Sequence, residues 1–222
     1  MSDLYEKVIC HPIFPTVVAA LSYTVLAITS AAALYLYFTE IAANDFWHWQ
    51  LVSYIIMLAN GITGFSEFFD EESFLPLRDL LDYCQLALVL PCYAAQMWIK
   101  TDMGPPEISA VHAGLGIIAT IIYVTTELRR QDLCDLAVFA NAVSLFVVGA
   151  LTMNLFTIIA TSVLVAGYYV YKRPDDQCCM APQDKFNFVM AVFAILSLAS
   201  FDDNVTRNVQ DTLQSIVGAA AN

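Results

Sequence analysis

The sequence predicts an all-α protein, a polytopic transmembrane helix bundle of about seven spans with an amphipathic or packed helix at its C-terminus. Three observations predict it. Of the 222 residues, 59% are apolar and only 14% charged, against roughly 45–50% and 25% in soluble domains. The mean hydropathy is +0.65, an excess that one water-soluble domain of this size has no interior to hide. The apolar residues also fall in uncharged runs of the length a helix needs to cross ~30 Å of hydrocarbon, and lipid admits only helices or closed barrels.

The first span, 12–38, is uncharged and opens on Pro12 and Pro15. The second, 46–65, starts at the aromatic cluster Phe46-Trp47-His48-Trp49. The third, 77–99, carries Arg78, Asp79 and Asp82 in its first turns, and the fourth is 108–126. From Leu136 to Tyr171 the chain has no charge. As one helix that run would measure ~54 Å, too long for one crossing. It divides into spans 135–152 and 154–171, turning near Thr152-Met153-Asn154. The last span is 186–201. Beyond it Val205, Val209, Leu213 and Val217 make one apolar stripe, so 203–222 is expected to pack on the bundle or lie at the interface. The whole chain, 1–222, reads as a single transmembrane domain, with no cleavable signal peptide.

Basic residues orient the spans. With seven crossings, Lys7, Arg78, Arg129, Arg130, Lys172, Arg173 and Lys185 share one side, against Lys100 and Arg207 on the other. This places the N-terminus in the cytoplasm and the C-terminus outside, in the plasma membrane or secretory pathway. Asn204-Val205-Thr206 then lies outside, which makes Asn204 a glycosylation candidate. Cys10, Cys178 and Cys179 are juxtamembrane on the cytoplasmic side and are candidates for acylation. Cys84, Cys92 and Cys134 lie in or beside spans and read as small apolar packers.

Net charge is −12, which excludes nucleic acid as a partner. Membrane lipids, other membrane subunits or a second copy are the partners expected. No cofactor is expected. His11, His48 and His112 form no ligand spacing for zinc or haem, and His112 reads as an interhelical hydrogen-bond partner. No lysine occupies a span interior to carry retinal, and no hydrolase motif is present. The acidic connection Glu67-Phe68-Phe69-Asp70-Glu71-Glu72 lacks calcium-loop spacing and reads as a solvated face. Gly114-Leu115-Gly116 and the alanine pairs suit close helix packing, and no single span shows a polar stripe long enough to line an aqueous path.

Ionisable groups inside a span are costly and mark function by default. Asp79, Asp82 and Gln85 recur every three residues on one face of the third helix, and Asn60 on the second is placed to meet them. The competing reading makes Asp79 and Asp82 caps at headgroup level, where the helix dipole favours negative charge. No catalytic residue is assigned beyond these four as weak candidates.

The stretch Leu58-Ala59-Asn60-Gly61, followed by Arg78-Asp79-Leu80-Leu81-Asp82-Tyr83-Cys84, resembles the second-to-third helix region of the myomaker-like family. That family belongs to the superfamily of alkaline ceramidases and progestin/adipoQ receptors. The resemblance implies seven helices, a His-Ala-Cys-Asn type motif, an Asp-x-Leu-x-Tyr type motif, and two histidines four apart after an acidic, Phe-rich turn. Carried onto this chain, only Asn60 and Asp79 (or Asp82) match. Phe201-Asp202-Asp203 precedes Gln210 and Gln214, and these two with Met57 stand where zinc-binding histidines would. The resemblance therefore implies a relative without the metal site. The 136–171 hairpin is longer than the family's corresponding segment, and the charge bias inverts the N-terminus.

The leading expectation is a non-enzymatic membrane protein acting by protein or lipid association, as an assembly subunit or a fusion-type surface protein. The alternatives are an intramembrane lipid-modifying hydrolase centred on Asp79, Asp82 and Gln85, and a small-solute transporter or channel.

Overall fold

Helix α1, Ile13–Leu36, is built almost wholly from apolar and small residues and closes on a π-turn, Tyr37–Ile41. Six further α-helices follow: α2 Trp49–Ser66, α3 Glu71–Thr101, α4 Pro106–Thr126, α5 Gln131–Leu151, α6 Leu155–Lys172 and α7 Pro182–Phe201. The computed structural model describes residues 13–41, 48–126, 128–172, 180–208 and 211, and among these there is no strand. The protein is all-α, as expected. Cys10, Cys178, Cys179, Gln210 and Gln214 lie outside the described residues, as does most of the stretch 203–222; 203–208 is helical.

Among the described residues, five helices are long and apolar enough to cross a membrane: α1 with its π-turn, α4, α5, α6 and α7. The protein is an integral membrane protein. Helices α2 and α3 are not in that group, because buried polar residues interrupt their apolar runs. On α2 these are Gln50, Ser53, Tyr54 and Asn60; on α3 they are Asp82, Gln85 and Gln96.

Neighbouring helices close a ring in the order α1, α2, α3, α5, α6, α7 and back to α1, and α4 packs on the outside against α3 and α5. Successive helices run in opposite directions. One end of the bundle gathers the start of α1, the α2–α3 connection and the start of α7. The other gathers the π-turn, the end of α3 and the end of α7.

Glycines set the closest approaches. A Cβ on Gly61 would stand 2.7 Å from the backbone nitrogen of Ala27, so α1 and α2 meet backbone to backbone. A Cβ on Gly116 would meet the Ala87 carbonyl at 2.4 Å. That carbonyl lacks its helical donor because Pro91, four residues on, has no N–H. The Gly116 backbone fills the place instead, in the manner of a Cα–H···O contact. Gly114, on the same helix, has nothing within 4 Å, so only one glycine of the Gly114-Leu115-Gly116 triplet serves packing. The uncharged stretch 136–171 folds as a hairpin whose turn, Thr152–Asn154, places Met153 at φ +52°.

The far end is fastened by Lys100. Its Nζ donates to the carbonyls of Ser200 and Phe201 at 3.2 and 2.9 Å and pairs with Asp203 at 2.8 Å. These are the orphan carbonyls of the α7 terminus. Hydrogen bonding from Lys100 holds the Asp203 carboxyl below its ordinary value of 3.8. A carboxyl depressed on folding contributes stability that is present above its unfolded value and lost as pH falls through the folded one. Lys100→Met is expected to cost about 1 kcal/mol through the carbonyl bonds. It is also expected to remove part of the loss of melting temperature that the wild type shows between about pH 5 and pH 3. Parallel melting curves that keep the wild-type gap across that range would contradict the assignment.

Candidate functional site

The buried polar residues of α2, α3 and α7 converge below the α2–α3 connection. Asn60 lies one and a half turns before the end of α2, and Asp82 and Gln85 share a face three turns into α3. Asn60 Nδ2 donates to Asp82 Oδ1 at 2.9 Å and to Gln85 Oε1 at 2.5 Å. From α7, Gln183 Nε2 donates to the same Asp82 oxygen at 2.7 Å. Gln183 also reaches Asn187, and Asn187 Nδ2 donates to Ser22 on α1 at 3.3 Å. Ser22 Oγ in turn donates to Asp184 Oδ1 at 3.1 Å. Four helices thus meet through one hydrogen-bonded network, with Asn60 0%, Gln85 1% and Asp82 7% exposed. Two amide donors hold Asp82 as an acceptor.

Arg78 stands above the network. Its Nη1 donates to both carboxylate oxygens of Glu67, and its Nε lies 3.8 Å from Asp82 Oδ2. Around these residues is an open cavity of about 610 Å³. Its wall carries the carboxylates of Glu67, Glu71, Asp82 and Asp184, the Arg78 guanidinium, and the rings of Tyr23, Phe68 and Phe69. Among the described residues, four acids face one base. Among the described residues no three His, Cys, Asp or Glu side chains come together as a metal site, so the carboxylates are spread over the wall.

The stripe read from α3 divides. Asp82 and Gln85 enter the network, whereas Asp79, with a side chain 45% exposed, turns outward and pairs with Arg78 at 3.4 Å and Arg129 at 3.6 Å. Neither aspartate caps the helix. Helix α3 begins at Glu71, earlier than the apolar pattern suggests, and its N-cap is Asp70, whose side chain accepts from Ser73 N at 3.2 Å. The acidic connection is only partly a solvated face, since Glu67 is committed to Arg78.

The remaining sequence candidates lie elsewhere. Asn204 is exposed in the helical turn 203–208, whose start is capped by the Asp202 carboxylate. Cys84, Cys92 and Cys134 are buried free thiols. His112 bridges α4 and α5, with Nδ1 2.8 Å from Asn141 Oδ1 and Nε2 3.0 Å from Ser144 Oγ, while Trp98 Nε1 donates to the same serine at 2.7 Å. His48 meets Tyr37 and Gln96 at the opposite end of the bundle from Asp82. Met57, at one position the resemblance gives to a histidine, is fully buried in the apolar core.

Sequence reasoning missed Gln183, Asp184, Asn187 and Ser22. A signal was present. Gln183 and Asn187 are four apart at the start of an apolar span, the spacing of one helical face. A longer polar stripe on α2, from Gln50 through Ser53 and Tyr54 to Asn60, gives a weak signal because its spacings of three, one and six residues are irregular and interrupted by apolar residues.

Comparison of the chain with protein-family models, curated proteins and solved structures finds no match.

Proposed function

We propose that this is a non-enzymatic membrane protein working by association, and that its associating site is the acidic vestibule, which takes a small organic cation of the ammonium type. The observation that carries the reading is the cavity wall, where, among the described residues, four carboxylates outnumber one guanidinium and three aromatic rings stand among them. A carboxylate-lined concavity concentrates cations, and aromatic faces attract quaternary ammonium through their quadrupole. The dispersed carboxylates suit a bulky, weakly hydrated cation better than a compact metal ion, which needs its ligands gathered. Asp82, held as an acceptor by Asn60 and Gln183, supplies fixed negative charge at the cavity floor.

In this reading all seven helices cross the membrane, with α3 covered by α4 and α2 turning Ile55, Ile62 and Phe65 outward. With the N-terminus in the cytoplasm, the vestibule opens on the cytoplasmic face. Titration of the detergent-solubilised chain with tetramethylammonium tests the site by calorimetry. Saturable binding is expected, weakened about tenfold in Asp82→Asn, the equivalent of 1.4 kcal/mol. Heats that never saturate, or equal affinity in the variant, would remove the vestibule as the site.

A further inference from the structure

We propose that the interior of the helix ring is a gated path for a small monovalent cation, leading from the vestibule to the opposite end of the bundle. The proposal rests on the vestibule reading and extends it from binding to passage.

The path is drawn by side chains that face the middle of the ring. Below the vestibule lie Asn60, Gln85 and Asn187; towards the other end lie Gln50, Tyr54 and Ser197, the last two joined at 3.1 Å and Gln50 donating to Ser197 at 3.3 Å. All six are buried, with exposures of 1% or less. Asn187 and Ser197 are ten residues apart on α7, a rise of ~15 Å. Polar groups at this depth are expensive to keep in a dry bundle, and here they occur as two groups, one from each end.

The second observation concerns partners. Four buried polar atoms of this interior have no hydrogen-bond partner among the described residues: Asn60 Oδ1, Gln85 Nε2, Ser30 Oγ and Gln50 Oε1. Native interiors leave few such atoms, because each orphan forfeits its hydration. Their order along the helices is Asn60 with Gln85, then Ser30, then Gln50, so they step from one polar group to the other. Three of the four are oxygens with free lone pairs, the donors a cation takes in exchange for its water.

Between the two groups, Met57 on α2 and Met190 and Phe193 on α7 form an apolar septum, each fully buried. Two of these are methionines, whose unbranched, flexible side chains repack at low cost. The septum closes the path in this conformation, and rotamer exchange of Met57 and Met190 opens it. At the far end a second cavity, about 580 Å³, is lined by Glu40, Asp202 and Asp203 with Asn204. Asp203 is paired there with Lys100, so the carboxylates of Glu40 and Asp202 are what favour a cation over an anion at this end.

The test uses the full chain reconstituted in liposomes, with sodium and potassium uptake each followed down a gradient. Uptake above protein-free liposomes is expected for at least one of the two ions, with block by tetramethylammonium from the vestibule side. Ser30→Ala is expected to cut uptake about tenfold while melting at or above the wild-type temperature, because it deletes an orphaned hydroxyl. A purely structural serine would leave uptake unchanged. Asp82→Asn gives an independent loss of uptake should the serine variant fold poorly. Uptake no greater than in protein-free liposomes overturns the path, as does uptake that neither substitution alters. Tetramethylammonium binding without uptake overturns the path alone and leaves the vestibule standing; absence of both overturns the two readings together.

Discussion

Replacing Gly61 by valine is expected to lower the stability of the bundle by about 3 kcal/mol or more. The first added carbon already meets backbone, standing 2.7 Å from the Ala27 nitrogen and 2.9 Å from its Cα. Backbone has no rotamer to yield, so α1 and α2 must separate. Separation would draw Tyr23 off Gly64, where it packs so closely that a Cβ would stand 2.2 Å from the ring. It would also open the Ser22–Asn187 link between α1 and α7. The vestibule, walled by α1, the α2–α3 connection and the start of α7, would lose its shape with the fold. Gly114→Ala is the control, since nothing lies within 4 Å of its added carbon; it is expected to be neutral or slightly stabilising through helix propensity. Thermal unfolding of both variants in one detergent measures the contrast. Equal melting temperatures would show that the α1–α2 contact is not as close as described.

Asp82→Ala is expected to be the second large perturbation, costing about 2–4 kcal/mol. The substitution takes an acceptor from two amide donors, Asn60 Nδ2, which keeps Gln85, and the half-buried Gln183 Nε2, which keeps Asn187, and takes one of the carboxylates from beside Arg78. Arg78 keeps Glu67 and is a quarter exposed, so its share of the cost is small. Most of the loss is the hydrogen bond that each amide gives up and the space left where the buried carboxylate joined three helices. Asp82→Asn retains the shape and one acceptor oxygen, and is expected to cost about 1 kcal/mol. The pair separates structure from charge: both variants are expected to bind the cation at least about tenfold more weakly, whereas only the alanine variant is expected to melt much earlier. An alanine variant as stable as the wild type would mean that Asp82 does not hold the α2–α3–α7 junction together.

Much of the architecture was legible in the sequence because the signal for a membrane helix is local. Uncharged runs such as 12–38 and 136–171 announce themselves by composition, and the turn at Thr152–Asn154 follows from length alone. The start of α3 was less legible. Residues 71–76 are acidic and contain Pro76, so the apolar pattern begins near Leu77, yet the helix begins six residues earlier under the Asp70 cap. The extra turns are what bring Arg78 back against Glu67.

The candidate site was half legible. Spacing alone placed Asp82 and Gln85 on one face and Asn60 opposite them. It did not separate Asp79, one turn away on the same helix, from Asp82: 100° per residue leaves two positions three apart about 60° out of line, and only the positions of α2, α7 and Arg129 decide which of them turns inward.

What the chain's own composition determined is its class: too apolar for water, helical because lipid leaves no other open form, and divided by its short charged connections. What the tertiary structure decided is which polar residues meet. Gln183 and Asn60 are 123 positions apart, and nothing in either neighbourhood names the other; they reach the same aspartate oxygen because the ring closes α7 against α1 and α2. Hydrophobicity acts on each segment separately and is read segment by segment. Hydrogen bonds between helices depend on rotation, depth and crossing, which are properties of the packed ring.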